Sequence, residues 1–258
     1  MNKGYLMSLS PAHQVITKEK FDAVLFDLDG VLTATAKIHA ACWKKMFDDF
    51  LQKLAQERGE PFRPFDVATD YKHYVDGKLR YDGVRGFLES RGIHLPFDNP
   101  DDPEGYASIR GLGNLKDKMV KEKIRQGEVD IYQDGVTLAR HVRSLGLKTA
   151  VVSASKNCQA VLEAAGITDL FDVRVDGNLA DELELPGKPA PDTFLKAAEL
   201  LKVEAKRAVV VEDAISGVAA GRAGGFGLVV GVDRKGDAQA LKDHGADVVT
   251  SNLNELIG

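Results

Sequence analysis

Two carboxylates stand two residues apart at the end of an apolar run, Phe21-Asp-Ala-Val-Leu-Phe-Asp27-Leu-Asp29-Gly30-Val-Leu-Thr33. A short apolar run reads as a buried strand, and its carboxyl end is where open α/β sheets bind ligands. Side chains alternate along a strand, so continued extended geometry would send Asp27 and Asp29 in opposite directions. For both to serve one site the chain must leave the strand there, and Gly30 is placed to permit it. Taken alone, the stretch reads equally as a strand followed by a polar turn.

Three further stretches carry reactive side chains beyond apolar runs. Residues 147–152 lead into Ser153-Ala154-Ser155-Lys156-Asn157, Gly187-Lys188-Pro-Ala-Pro-Asp192 precedes a helical pattern, and Val209-Val210-Val211 leads into Glu212-Asp213. In a parallel sheet such ends share one edge. A carboxylate nucleophile, a hydroxyl, a lysine and a second acidic pair are together what phosphoryl transfer through an aspartyl phosphate requires. Mg²⁺ takes carboxylate oxygens and accepts phosphate and water as its other ligands, so it is the expected cofactor. Singly, each residue has a plainer reading. Ser153 suits a helix cap, Lys188 a solvated surface, and Glu212-Asp213 the start of a helix.

The elements that would position these groups follow from periodicity. Residues 35–54 carry Ile38, Ala41, Cys42, Met46, Phe47, Phe50 and Leu54 at helical spacing, with Trp43 as a packing residue at the edge of the stripe. Residues 56–83 are rich in Pro, Gly, Asp and Arg and read as loops and short elements. Helices are expected at 81–91 and 112–125, and an exposed loop at 96–105. Beyond residue 126, strands (147–152, 171–175, 207–211, 226–232, 247–249) alternate with helices (135–146, 158–166, 192–201, 215–224, 238–244). That alternation predicts an α/β fold, a Rossmann-like parallel sheet covered on both faces. The expected organisation is a tail over 1–20, a catalytic core of 21–34 and 126–258, and an inserted helical cap over 35–125.

With 44% hydrophobic and 28% charged residues, the 258-residue chain has the composition of an ordinary soluble globular protein. A net charge of -5 gives no reason to expect nucleic acid as a partner. No apolar run reaches the length of a membrane span, and residues 1–20 lack a signal core, so no membrane partner and a cytoplasmic location are expected. Cys42 and Cys158 match no metal spacing and are expected as buried free thiols. The expected state is a monomer or weak homo-oligomer.

Four motifs in this order resemble the haloacid dehalogenase superfamily of phosphotransferases. The resemblance implies that Asp27 is the nucleophile and Asp29 the general acid and base. Ser153, with the backbone of Ala154, would hold the transferring phosphoryl group, and Lys188 would offset its charge. Asp27, Asp29 (through its carbonyl), Glu212 and Asp213 would hold Mg²⁺, with Asp213 favoured over Glu212 as the direct ligand. From residue 21 onward the chain looks like the β-phosphoglucomutase-like subfamily. Asp27-Leu-Asp-Gly-Val-Leu-Thr-Ala-Thr-Ala-Lys-Ile-His39-Ala-Ala-Cys-Trp43-Lys44, Ser153-Ala-Ser-Lys-Asn157 and Gly187-Lys-Pro-Ala-Pro-Asp192 carry that likeness. It implies a small phosphorylated sugar as substrate, with its second phosphate bound by Ser155, Lys156, Asn157 and Arg80, the last within Gly77-Lys-Leu-Arg80. It further implies that Thr35 lies at the cap hinge, that His39 bonds the general acid and base and couples cap closure to its placement, and that Gly77 and Lys116 stand on the substrate side, all four grouped with the substrate-binding residues. Their alternatives are a cap for Thr35, a packing histidine for His39, and solvated side chains for Arg80 and Lys116.

The chain departs from the subfamily in two places. Ala34 stands where an aspartate usually lies between the two threonines, and residues 55–110 are longer than in compact members. A sugar-phosphate phosphatase, acting on a hexose phosphate or trehalose phosphate, is therefore the alternative to a mutase. A phosphate-accepting receiver module or a non-enzymatic binding module accounts for less of the pattern, since neither needs Asp29 beside Asp27.

Overall fold

The computed structural model describes residues 16–97, 103–127 and 129–257. Its central strand is β1 (Ala23–Phe26), flanked in parallel by β2 (Lys148–Val152) and β4 (Ala208–Glu212). With β3 (Val173–Val175), β5 (Leu228–Val232) and β6 (Val248–Thr250), the order is β3-β2-β1-β4-β5-β6, all parallel. Strand order reverses at β1, so its carboxyl end opens into the crevice where such sheets bind ligands.

The period of two explains the layering. Val24 and Phe26 of β1, with Val209 and Val211 of β4, join one apolar cluster; Ala23 and Leu25, with Ala208 and Val210, join the other. The first is covered by helices α4 (Gln133–Ser144) and α5 (Cys158–Ala165), the second by α7 (Asp192–Leu201), α8 (Ile215–Ala223) and α9 (Ala238–Asp243). Ile16 is fully buried in the first cluster. The expected tail therefore does not extend to residue 20; its residues 1–15 lie outside the described residues.

The helical block has its own core. Helices α1 (Ala36–Arg58), α2 (Arg80–Ser90) and α3 (Ile109–Arg125) bury Trp43, Phe47, Val84, Phe87 and Leu112 around Phe65. Phe47 stacks on Trp43 at 5.3 Å and on Phe65 at 5.1 Å. The buried stripe of α1 is rotated from the expected one: Ala41 is exposed, whereas His39, Trp43 and Leu51 are buried. The expectation of loops and short elements over 56–83 missed a π-helix at Val67–Val75, started by Asp66, whose side chain accepts from the Thr69 N–H at 2.8 Å. A second unforeseen element is the short helix α6 (Gly177–Glu182), capped by Asp176. Part of the expected loop at 96–105, residues 98–102, lies outside the described residues. Cys42 and Cys158 are buried thiols, and no described helix is long and apolar enough to cross a membrane.

Two segments run between the helical block and the sheet side by side. The Ala34 N–H donates to Asp130 O at 2.8 Å, and Thr33 bridges Ile131. Gly30 makes the turn that ends β1, with φ +94°. A Cβ at Gly30 would sit 2.2 Å from Asp213 Oδ2, so glycine is required by both conformation and space. Its carbonyl accepts from Arg234 Nε at 3.1 Å, and Arg234 is held in turn by both Asp134 oxygens at 2.9 Å. Gly30→Ala is expected to destabilise the protein by about 2 kcal/mol, read from the urea midpoint; an unchanged midpoint would contradict the tight turn.

Candidate active site

Lys188 lies at the centre of the sheet edge. Its Nζ donates to Asp27 Oδ1 at 2.6 Å, to Glu212 Oε1 at 2.7 Å and to Val152 O at 3.2 Å. All three side chains are buried. Burial alone favours neutral lysine, but Asp27 and Glu212 outweigh it and hold the Lys188 pKa above the ordinary lysine value. Glu212 is oriented by its other oxygen, which accepts from the Ala214 N–H at 2.6 Å.

Asp27, Glu212 and Asp213 offer carboxylate oxygens within 4.8 Å of one another. Burial pushes the Asp27 carboxyl well above its ordinary value despite Lys188, and pushes Asp213 up to about 8 despite Lys235. Lys235 Nζ lies 3.2 Å from Asp213 Oδ2, an oxygen that accepts no well-directed hydrogen bond. A cluster of buried carboxylates, in which burial disfavours charge on Asp27 and Asp213 and every donor is a hard oxygen, fits a divalent cation. Of the four residues expected at a metal, three come together through their side chains. The Asp29 carboxylate is not among them and instead takes a hydrogen bond from Thr35.

Asp29 belongs to a separate network. Thr35 Oγ1 donates to Asp29 Oδ1, and the Thr33 and Thr35 hydroxyls are 2.7 Å apart. Thr35 is buried beneath Asp29 rather than in the cavity wall. His39 Nε2 lies 3.7 Å from Asp29 Oδ1, and its Nδ1 is 2.7 Å from Lys116 Nζ. Burial, then the Lys116 charge, lowers the His39 pKa to about 4, so the imidazole is neutral at neutral pH and Nδ1 can accept from Lys116. Burial, then the Arg80 charge, lowers Lys116 to about 7. Lys116 Nζ also lies 4.8 Å from the Trp43 ring centroid.

One cavity joins the sheet edge to the helical block. Of the expected residues, Asp27, Asp29, His39, Gly77, Arg80, Lys116, Ala154, Ser155, Asn157 and Asp213 line it. Ser153, Lys188 and Glu212 support it from behind. The Ser153 hydroxyl accepts from the Ser155 N–H at 3.1 Å, and Ser155 Oγ from the Asn157 N–H at 3.2 Å, so both shape the loop after β2. Lys156 does not line the cavity: it pairs with Asp181 on α6 and lies 5.2 Å from the Tyr81 ring. Arg80 and Asn157 both donate to Asp117 Oδ1 at 2.7 Å. Gly77, φ +69°, marks close contact with the core, since a Cβ there would lie 2.6 Å from Ser216 Oγ. Sequence reasoning missed Tyr71, Val75, Asp76, Lys78 and Ala214 in the wall and assigned Trp43 to packing alone. The first four lie within or just beyond the unforeseen π-helix. Its only sequence signals were the capping Asp66 and the aromatic spacing of Tyr71 and Tyr74.

A parallel sheet with Asp27, Asp29, Lys188 and an acidic pair at one edge, and a helical block after the first strand, defines a class. The chain belongs to the haloacid dehalogenase-like hydrolases, whose family model matches residues 21–225. Within that class it is 50% identical over 242 residues to β-phosphoglucomutase of Mycobacterium tuberculosis, covering 93% of this chain and 92% of that protein. It is also 38% identical over 126 residues, 47% of this chain and 28% of that protein, to trehalose-phosphate phosphatase of Mycobacterium leprae. Among solved structures, β-phosphoglucomutase from Clostridium difficile matches with a TM-score of 0.73 at 27% identity, covering 92% of this chain and 93% of that one. The chain is thus an enzyme of the phosphotransferase or phosphatase kind and a β-phosphoglucomutase homologue.

The lowered Lys116 pKa has a stability consequence. The unfolded lysine holds its proton up to about 10.5, and the folded one loses it above about 7. Burying the charge therefore costs stability in full below pH 7, and the cost fades as pH rises towards 10.5. Lys116→Met should raise stability at pH 6 by roughly 2 kcal/mol more than at pH 10, measured by urea unfolding. An equal change at both pH values would contradict the buried charge.

Proposed function

We propose that this enzyme is a Mg²⁺-dependent mutase interconverting β-glucose 1-phosphate and glucose 6-phosphate through glucose 1,6-bisphosphate. The observation that carries the reading is the single cavity that Asp27 and Asp29 share with Arg80, Ser155 and Asn157. It offers one set of groups for a reacting phosphoryl group and another for a second phosphate. The 50% identity to a β-phosphoglucomutase over 93% of the chain supports the same choice.

In this reading Lys188 holds Asp27 Oδ1, so Oδ2 is the attacking oxygen. Attack forms the Asp27–phosphorus bond and breaks the bond from phosphorus to the sugar oxygen, which takes a proton from Asp29. In the reverse transfer Asp29 removes a proton from the incoming sugar hydroxyl while the phosphoryl group leaves Asp27. Thr35 and His39 fix the Asp29 carboxylate between the two steps. Mg²⁺, held by Asp27, Asp213, Glu212 and the Asp29 carbonyl, would neutralise charge on the phosphoryl group and the nucleophile. Ser153 and the backbone of Ala154 would hold the phosphoryl oxygens.

Residues 35–125 would act as a cap that excludes water while Asp27 carries phosphate. Contacts with the core loops support this role. Ser216 Oγ donates to Asp76 O at 2.9 Å, Lys72 pairs with Asp237 at 2.6 Å, and Lys235 pairs with Asp76 at 2.8 Å. Water admitted to Asp27 would make the same machinery a phosphatase. The partial match to a trehalose-phosphate phosphatase favours keeping that reading second.

Supplying β-glucose 1-phosphate, Mg²⁺ and trace glucose 1,6-bisphosphate should yield glucose 6-phosphate with little free phosphate, followed by ³¹P NMR. Stoichiometric phosphate and glucose would identify a phosphatase instead.

A further inference from the structure

Three of the four side chains expected at the remote phosphate, those of Arg80, Asn157 and Lys156, are already bonded to aspartates. Arg80 Nη2 and Asn157 Nδ2 converge on one atom, Asp117 Oδ1, each at 2.7 Å. Lys156 is held aside by Asp181. Arg80 and Asp117 stand on α2 and α3 of the helical block, whereas Asn157 lies on the loop after β2. A single carboxylate oxygen therefore sits between a block guanidinium and a core amide. The Arg80 and Asp117 side chains are only 9% and 12% exposed, so Arg80 without an anion would be a nearly buried, unpaired charge.

Asp117 also has a partner that does not belong to the site. Its Oδ2 pairs with Lys121 Nζ at 2.9 Å, one turn further along α3, and that lysine is half exposed. Since both lie on one helix, Asp117 keeps this partner if Arg80 and Asn157 leave it.

We propose that Asp117 is an internal stand-in for the substrate's remote phosphate, occupying Arg80 and Asn157 until a sugar phosphate displaces it towards Lys121. The proposal rests on the reading of Arg80 and Asn157 as remote-phosphate ligands. A phosphate dianion brings more charge and more acceptor oxygens than a carboxylate, so it can win the same donors. Neutral sugars cannot break two charge-assisted hydrogen bonds to enter. Asp117 thus makes the site selective for a doubly charged group at the expense of affinity, while keeping the helical block tied to the core in the empty enzyme.

A residue that only orients Arg80 would behave oppositely: its loss would weaken phosphate binding. The test is calorimetric titration of inorganic phosphate into the Mg²⁺-loaded full chain, comparing wild type, Asp117→Asn, Arg80→Ala and the double variant. Displacing one charged hydrogen-bond partner corresponds to about a tenfold change in affinity. Asp117→Asn should therefore bind phosphate roughly tenfold more tightly, Arg80→Ala should bind it more weakly, and the double variant should show no gain over Arg80→Ala. Asp117→Ser provides the same comparison should the asparagine variant fold poorly. Unchanged or weaker binding by the Asp117 variants overturns the stand-in, and the remote-phosphate reading survives if Arg80→Ala still weakens binding. Phosphate affinity indifferent to Arg80→Ala overturns both.

Discussion

A lysine ammonium shared by two buried carboxylates sets the geometry of the sheet edge. Lys188 binds Asp27 and Glu212 at once and anchors to the Val152 carbonyl, so one charge ties β1, β2 and β4 together where their carboxyl ends converge. Removing Lys188 would leave two buried carboxylates without their shared counterpart, which costs more than the ion pairs contribute when intact. With Asp213 added the carboxylates outnumber Lys188, and Lys235 lies 3.2 Å from one Asp213 oxygen, Oδ2. Burial first, and then the neighbouring carboxylates, raises the Asp27 and Asp213 pKa values, and the excess of buried carboxyl groups over cations suits this edge to a divalent cation.

Asp29 is two residues from Asp27 yet lives in a different electrostatic setting. The turn at Gly30 brings it to the same cavity, where it meets the Thr35 hydroxyl and a neutral imidazole instead of an ammonium. Two carboxyl groups in contrasting surroundings can take different tasks, which is the division of roles proposed for Asp27 and Asp29. His39 and Lys116 carry the influence of the helical block to Asp29, since α3 supplies the lysine and α1 the histidine. Placement of the Asp29 carboxylate therefore depends on how that block sits over the sheet.

The sheet and its edge chemistry were legible in the sequence because parallel strands impose a simple rule. Apolar runs of four or five residues end in the polar groups of the sheet edge, as at Asp27, Ser153 and Glu212. The helices of the block were legible from periodicity, although Ala41 and Leu51 show the stripe of α1 turned from the expected position. The wall formed by Tyr71, Val75 and Asp76 was not legible. A π-helix has neither the strand period nor the α-helical one, and it lies in a stretch rich in turn-forming residues. Side-chain partners were beyond reach too: nothing local says that Lys156 turns to Asp181 or that Asp117 takes the donors of Arg80 and Asn157. Those choices follow from charge balance between elements distant in sequence.

In the proposed reaction Asp27 takes up the phosphoryl group. Enzyme mixed with Mg²⁺ and glucose 1,6-bisphosphate can be acid-quenched, reduced with borohydride and analysed by peptide mass spectrometry. An acyl phosphate is converted to an alcohol, so the account predicts homoserine at position 27 and unmodified aspartate at positions 29 and 213. Reduction at another carboxylate, or none at Asp27 while turnover proceeds, would contradict it.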